Sequence, residues 1–74
     1  MARAQDELDY LMKIAVTNPD EPVFTLRAQD KHAADLVRKW AHFANVSGCP
    51  IQKVNEALRL ADDMDAWPVK KFPD

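Results

Sequence analysis

The feature that most constrains this chain is a run of apolar residues at helical spacing between residues 31 and 46. Steps of three and four residues place their side chains on one face of an α-helix, and the opposite face carries polar residues such as Asp35, Arg38 and Lys39. We predict a helix with Asp30 as its N-cap and Gly48 as a left-handed stop, followed by Pro50. The predicted inward stripe consists of Ala33, Leu36, Val37, Trp40, Phe43, Ala44 and Ser47.

A first helix is predicted over residues 2–17, where Leu8, Leu11, Met12 and Ala15 share a face. It ends at Asn18-Pro19, because a residue before proline avoids the helical region. The apolar surface of this helix is broad for a small monomer. Core packing and an oligomer seam explain it equally well.

Residues 23–27 alternate between two faces as a short strand does, but the chain offers no obvious second strand. We expect this segment to pack across the helices as extended chain, in preference to pairing with a neighbouring copy. A third helix is predicted over residues 50–66, with Pro50 at its first position. The tail, residues 68–74, is expected to be extended, and Lys70 and Lys71 can fold back toward the acidic end of that helix.

The chain has 74 residues and one cysteine, Cys49, so neither a disulfide nor a metal site stabilises it. A single domain of this size is marginally stable alone, and association with other copies is the remaining means of stabilisation. The sequence therefore predicts an all-α fold over residues 1–74. Its parts are an N-terminal helix, a short extended segment and an antiparallel two-helix hairpin, assembled as a homo-oligomer.

Composition and charge exclude several classes of function. The net charge is −2, from 10 basic and 12 acidic residues, which gives no general attraction to nucleic acid. No apolar run approaches the roughly 20 residues that cross a bilayer, and no secretion signal is evident. No arrangement of nucleophile and base is recognisable, and no cofactor motif is present. We expect a cytoplasmic protein that is not an enzyme.

Two segments carry candidate binding chemistry, and the turn before the third helix is one of them. Ala44, Gly48 and Val54 have the spacing of a DNA-binding helix-turn-helix, although a plain helical hairpin needs the same spacing for packing. The acidic end of the third helix weighs against DNA binding. If it did bind DNA, the residues facing the major groove would be Gln52, Lys53, Asn55, Glu56 and Arg59.

The other candidate is the polar cluster at residues 27–32, where an extended segment meets a helix N-terminus. Amides and the helix dipole favour anions there, and an arginine can fork onto a phosphate or carboxylate. Trp40 or Tyr10 of an adjacent copy can stack on a base. The alternative is that Asp30 already occupies the anion position as the helix cap, and that Arg27 pairs with Asp30, Asp35 or another acidic residue. The predicted ligand contacts are Arg27, Gln29, Lys31 and His32, with Arg38 as an additional one.

Three short motifs stand in order along the chain: FxLRAQD at 24–30, VxxWA at 37–41 and DMxAWP at 63–68. In this pattern the sequence resembles a group of small proteins encoded by tailed phages and prophages, over roughly residues 22 to 74. The resemblance implies a phage setting and hence the host cytoplasm, but no site residues. Small phage accessory proteins commonly counter host defence. The expected function is sequestration of a small anionic, nucleotide-derived signal, and the alternatives are a DNA-binding regulator and a protein-masking inhibitor.

Overall fold

A computed structural model describes residues 3–71 and shows an all-helical chain. Its elements are α1 (Ala4–Thr17), α2 (Ala33–Val46) and α3 (Ile51–Ala66). The described residues form no strand, and the only sheet-like pairing among them is an isolated parallel bridge between Asp30 and Lys71. The predicted all-α class is confirmed. Residues 72–74 of the predicted extended tail lie outside the described part.

Helix α1 ends where the sequence predicts, at the Asn18-Pro19 pair. The backbone N–H of Asn18 donates to the Ile14 carbonyl at 2.7 Å, and the Thr17 hydroxyl donates to the Lys13 carbonyl at 3.0 Å. These bonds satisfy carbonyls that the last turn of a helix leaves without an amide partner. The helix begins at Ala4, and Arg3 stands at its N-cap position. The predicted start at residue 2 lies outside the described residues.

Helix α2 begins two residues later than predicted, and Asp30 is not its N-cap. His32 holds that position and makes no side-chain capping bond. The Asp30 carboxylate instead turns back and accepts the Arg27 N–H at 3.0 Å. The Lys31 N–H donates to the Lys71 carbonyl at 2.7 Å. In the predicted helix the Asp30 carboxylate and the Lys31 N–H belong to the first turn. In the structure the carboxylate bonds to the preceding turn, and the N–H bonds to the tail.

The turn between α2 and α3 has the geometry that its glycine predicts. Gly48 has a φ of +87°, the left-handed conformation that closes helices. The Cys49 N–H donates to the Ala44 carbonyl at 2.9 Å, and the Gly48 N–H donates to the Asn45 carbonyl at 3.2 Å, which together form a Schellman motif. Pro50 is the N-cap of α3, whereas the prediction placed it at the first helical position. The helix therefore begins one residue later than predicted.

The core between α2 and α3 is built mainly from alanines. The start of α2 packs against the end of α3, and the middle of α2 packs against the first turns of α3. Among the described residues no large side chain is fully buried. Small side chains allow two helices to approach closely, but they enclose little apolar area. The buried apolar residues are Ala33, Ala34, Ala41, Val54, Ala57, Ala61 and Met64.

The predicted inward stripe of α2 was wrong for its three largest members. Leu36, Trp40 and Phe43 are 46%, 49% and 66% exposed. The helix is rotated so that Ala41 contacts α3 and these bulky side chains lie beside the contact. Small side chains on both helices at this contact allow the two backbones to approach closely.

Helix α1 does not take part in this core. None of its residues is buried, and none of its Cα atoms comes within 8 Å of a Cα atom of α2 or α3. The radius of gyration is 13.2 Å, compared with about 11 Å for a compact domain of this length. Core packing within one chain therefore does not account for the broad apolar surface of α1. None of the helices in residues 3–71 is both long and apolar enough to cross a membrane.

Candidate functional site

The polar cluster of the sequence is organised by a tight turn that Asp30 closes. The Asp30 N–H donates to the Arg27 carbonyl at 2.9 Å, and its carboxylate accepts the Arg27 N–H at 3.0 Å. Asp30 is 8% exposed and is the one buried polar or charged residue of the described chain. Both bonds fix the backbone of the turn. Asp30 is therefore a structural residue, bonded to the main chain of Arg27.

The C-terminal tail completes this turn. The Lys71 N–H donates to the Gln29 carbonyl and the Lys31 N–H donates to the Lys71 carbonyl, both at 2.7 Å. The Lys70 ammonium donates to the Ala28 carbonyl at 3.0 Å and also to the Met64 carbonyl near the end of α3. A cation at a helix C-terminus complements its carbonyls. Lys70 thus folds back as predicted, although its described partners are carbonyls and not the aspartates.

Four of the five predicted ligand residues lie together on this turn. Arg27, Lys31 and His32 are exposed, and Gln29 is half-buried. The tail adds Lys71, which the sequence did not mark as a site residue because the bridge joins positions about forty residues apart. The result is a surface, here called the polar turn, with cationic side chains from two segments. It consists of Arg27, Gln29, Lys31, His32 and Lys71.

Arg38, the fifth predicted residue, is engaged elsewhere. Its guanidinium donates to Asp65 at 2.5 Å, to Asp62 at 3.0 Å and to Asp35 at 3.5 Å. The hydrogen bonds that Arg38 donates, first to Asp65 and then to Asp62, raise the pKa of Arg38 above its usual value. All three aspartates at the end of α3 thus have a cationic partner, since Asp63 lies 3.6 Å from the Arg3 guanidinium. Arg38 therefore links α2 to α3, and its role as a ligand contact stays a prediction.

A second surface is apolar and was not predicted as a site. It is a cleft of about 600 Å³ between α1, the extended segment and the α2–α3 pair. Leu26 closes its base, since it packs against the α2–α3 core, whereas Phe24 is 80% exposed. The expected packing of the extended segment across the helices is therefore realised at Leu26 and not at Phe24.

The cleft is lined almost entirely by apolar and aromatic side chains. Glu7, Glu21 and Thr25 are its polar members. The sequence contained two signals for this cleft. One is the alternation of side chains between two faces at residues 23–26, and the other is an apolar surface on α1 that is wider than a single helical stripe. The apolar lining residues are Tyr10, Leu11, Ile14, Val23, Phe24, Leu26, Leu36, Val37, Trp40, Ala57, Leu60 and Met64.

The face of α3 considered for DNA binding is exposed. All five of its candidate residues, Gln52, Lys53, Asn55, Glu56 and Arg59, are accessible to solvent. Cys49 is half-buried and packs beside the α2–α3 core, where it acts as a small apolar residue. In residues 3–71, no three histidine, cysteine or acidic side chains come close enough to hold a metal ion.

Comparison with protein families, with curated proteins and with solved structures finds no match for this chain. The resemblance to small phage proteins therefore stays a prediction from the three motifs.

Proposed function

We propose that this chain is a non-enzymatic, phage-type accessory protein that binds and sequesters a small anionic, nucleotide-derived ligand in the host cytoplasm. The ligand contacts are the side chains of the polar turn. The observation that supports this proposal is the bridge between Asp30 and Lys71, which joins a second cationic segment to the one found in the sequence.

The chemistry of the polar turn suits a phosphate-bearing ligand. The Arg27 guanidinium can bind phosphate through two parallel hydrogen bonds, and lysines at residues 31 and 71 add point charges. The Asp30 carboxylate opposes an anion here, and the cationic side chains of Arg27, Lys31 and Lys71 offset that repulsion. The Gln29 amide supplies a donor and an acceptor for a polar group beside the phosphate.

We also infer that α2 and α3 form an antiparallel hairpin. Contacts between the helices join Ala33 to Met64 at one end and Ala44 to Val54 near the other. Two helices that meet as a helix-turn-helix corner diverge away from their turn. The length of the contact favours the hairpin, and with it the sequestration proposal over a DNA-binding regulator.

Isothermal titration against cyclic nucleotides and ADP-ribose derivatives tests the proposed ligand class. We expect at least one of these ligands to bind, with an affinity that falls as salt rises because charged contacts are screened. Arg27→Ala combined with Lys71→Ala should weaken binding by roughly tenfold or more, as expected when charge-assisted bonds are lost. Lys39→Ala removes an exposed lysine from α2 and serves as the matched control.

No heat of binding across the whole panel would refute the proposed ligand class. If Lys39→Ala weakened ligand binding equally, the attraction between ligand and protein would be general and not localised at the polar turn.

A protein-masking inhibitor is the second candidate, favoured by the outer face of α1. Leu8 and Met12 are 52% and 59% exposed and do not line the cleft. Exposed apolar stripes of this kind are typical of helices that bind a partner. We expect the wild type to capture one defined host protein. Met12→Glu should abolish this capture, and Lys39→Ala should not.

A further inference from the structure

One copy exposes more surface than a typical compact monomer of this mass. A monomer of 8.4 kDa is expected to expose about 4,600 Å², whereas this chain exposes 6,017 Å². The excess is roughly 1,400 Å², and a stable interface covers about 800 Å² on each partner. One copy therefore leaves uncovered at least as much surface as a dimer contact requires.

The cleft is an apolar part of this exposed surface. Its walls are α1 on one side and the α2–α3 pair on the other, and α1 has no Cα atom within 8 Å of either helix. Helices that pack directly have axes about 8–10 Å apart, with side chains interdigitated between them. The interior of the cleft is thus accessible to an apolar group from outside.

Three aromatic side chains stand at this cleft while largely exposed. Tyr10, Phe24 and Trp40 are 62%, 80% and 49% exposed, and each lines the cleft. Aromatic residues of this type dominate the energetics of protein interfaces when they enter a partner's pocket. The same patch supplies both the pocket and the aromatic groups that fit one, as a two-fold symmetric interface requires.

We propose that a second copy of this chain closes the cleft across a two-fold axis, with Phe24 of each copy inserted into the cleft of the other. The cleft is then complete only in the dimer. A net charge of −2 on each copy opposes this association only weakly. The inference concerns a surface separate from the polar turn, so it stands or falls independently of the proposed ligand.

Light scattering after size-exclusion chromatography of the full chain tests the dimer across a range of micromolar concentrations. We expect a mass that approaches twice 8.4 kDa as concentration rises. Phe24→Glu should weaken self-association by roughly thirtyfold or more, because it replaces a central aromatic contact with a buried charge. Its circular dichroism should still show the helices of the α2–α3 pair, because Phe24 is mostly exposed within one copy and takes no part in that core.

Val46→Glu is the matched control, since Val46 is 73% exposed on α2 and does not line the cleft. It should leave the dimer intact. In a Trp67→Phe background, the fluorescence of Trp40 should shift to shorter wavelength as the dimer forms, because Trp40 leaves water. Trp40→Ala provides a second disruptive variant that introduces no charge.

A monomer at every concentration, with unchanged Trp40 fluorescence, would overturn the proposal and leave the cleft to a different partner. A dimer that survives both Phe24→Glu and Trp40→Ala would also overturn it. A dimer that Val46→Glu disrupts equally would show that the contact lies on another face.

Discussion

At the scale of single residues, Asp30 illustrates how one side chain can serve a different backbone group from the one its position suggests. It precedes α2, where an aspartate commonly caps the helix, yet its carboxylate accepts the N–H of Arg27. The same residue forms the parallel bridge to Lys71. Asp30 therefore fixes the turn and the start of α2, while its neighbours Gln29 and Lys31 make the hydrogen bonds to the tail.

Asp30→Ala should lower the free energy of unfolding by roughly 1–2 kcal/mol, because the Arg27 N–H and the turn lose their acceptor. Asp30→Asn keeps an acceptor oxygen and should retain most of the stability. Urea denaturation followed by circular dichroism measures both. If alanine and asparagine had the same effect, the loss would come from the charge and not from this hydrogen bond.

At the scale of elements, α2 and α3 are joined by a turn and a seam of small residues. The left-handed Gly48 turns the chain, and the alanines allow the helices to lie close together. The seam buries little area for each residue, so its stability depends on close fit. Arg38 adds a charged link through Asp65 and Asp62 on exposed parts of the same two helices.

Ala61→Leu tests how closely the helices fit. Ala61 is fully buried, so three extra carbons would separate the helices and cost roughly 1–3 kcal/mol of unfolding free energy. Ala66→Leu makes the same change at an exposed position of α3 and should be nearly neutral. Thermal denaturation of both variants compares them. An equally stable Ala61→Leu variant would mean that the seam contains unfilled space.

Gly48→Ala tests the turn. The backbone there has a positive φ, and a Cβ atom added at this position would meet no atom within 4 Å. The cost is therefore conformational, roughly 1–2 kcal/mol. Gly48→Asn should cost less, because asparagine tolerates the left-handed region better than alanine does. The denaturant midpoint should be highest for the wild type, lower for Gly48→Asn and lowest for Gly48→Ala.

At the scale of the whole molecule, the described chain has two parts with different degrees of packing. The α2–α3 pair, joined to the polar turn, has a core, whereas α1 stands across a cleft and has no buried residue. A segment with few buried contacts opens at low free energy unless something else covers it. The proposed second copy would supply that cover.

Thermal stability should therefore depend on chain concentration. If folding is coupled to dimer formation, Tm rises as concentration rises, because mass action favours the associated native state. In Phe24→Glu the midpoint should be lower and should not vary with concentration, while Val46→Glu should behave as the wild type does. Differential scanning calorimetry over a wide concentration range measures this. A constant wild-type Tm would contradict the coupling.

The sequence by itself determined where the helices are, because its signals act on neighbouring backbone. Proline after Asn18 ends α1, and Gly48 with Pro50 separates α2 from α3. Each works through the allowed dihedral angles of one or two residues, which no distant contact needs to supply. The fold class follows from the sequence, and so do the three helix ends nearest these signals, each to within a residue.

Only the tertiary structure decided which faces are buried and which polar groups meet. Apolar residues cover a wide arc of α2. Only the packing against α3 decides that Ala41, and not Trp40, lies on the inward face. The bridge between Asp30 and Lys71 depends on chain segments about forty residues apart, and so does the composition of the polar turn. Local spacing cannot rank such contacts, because their free energies depend on the shape of a partner that is distant in sequence.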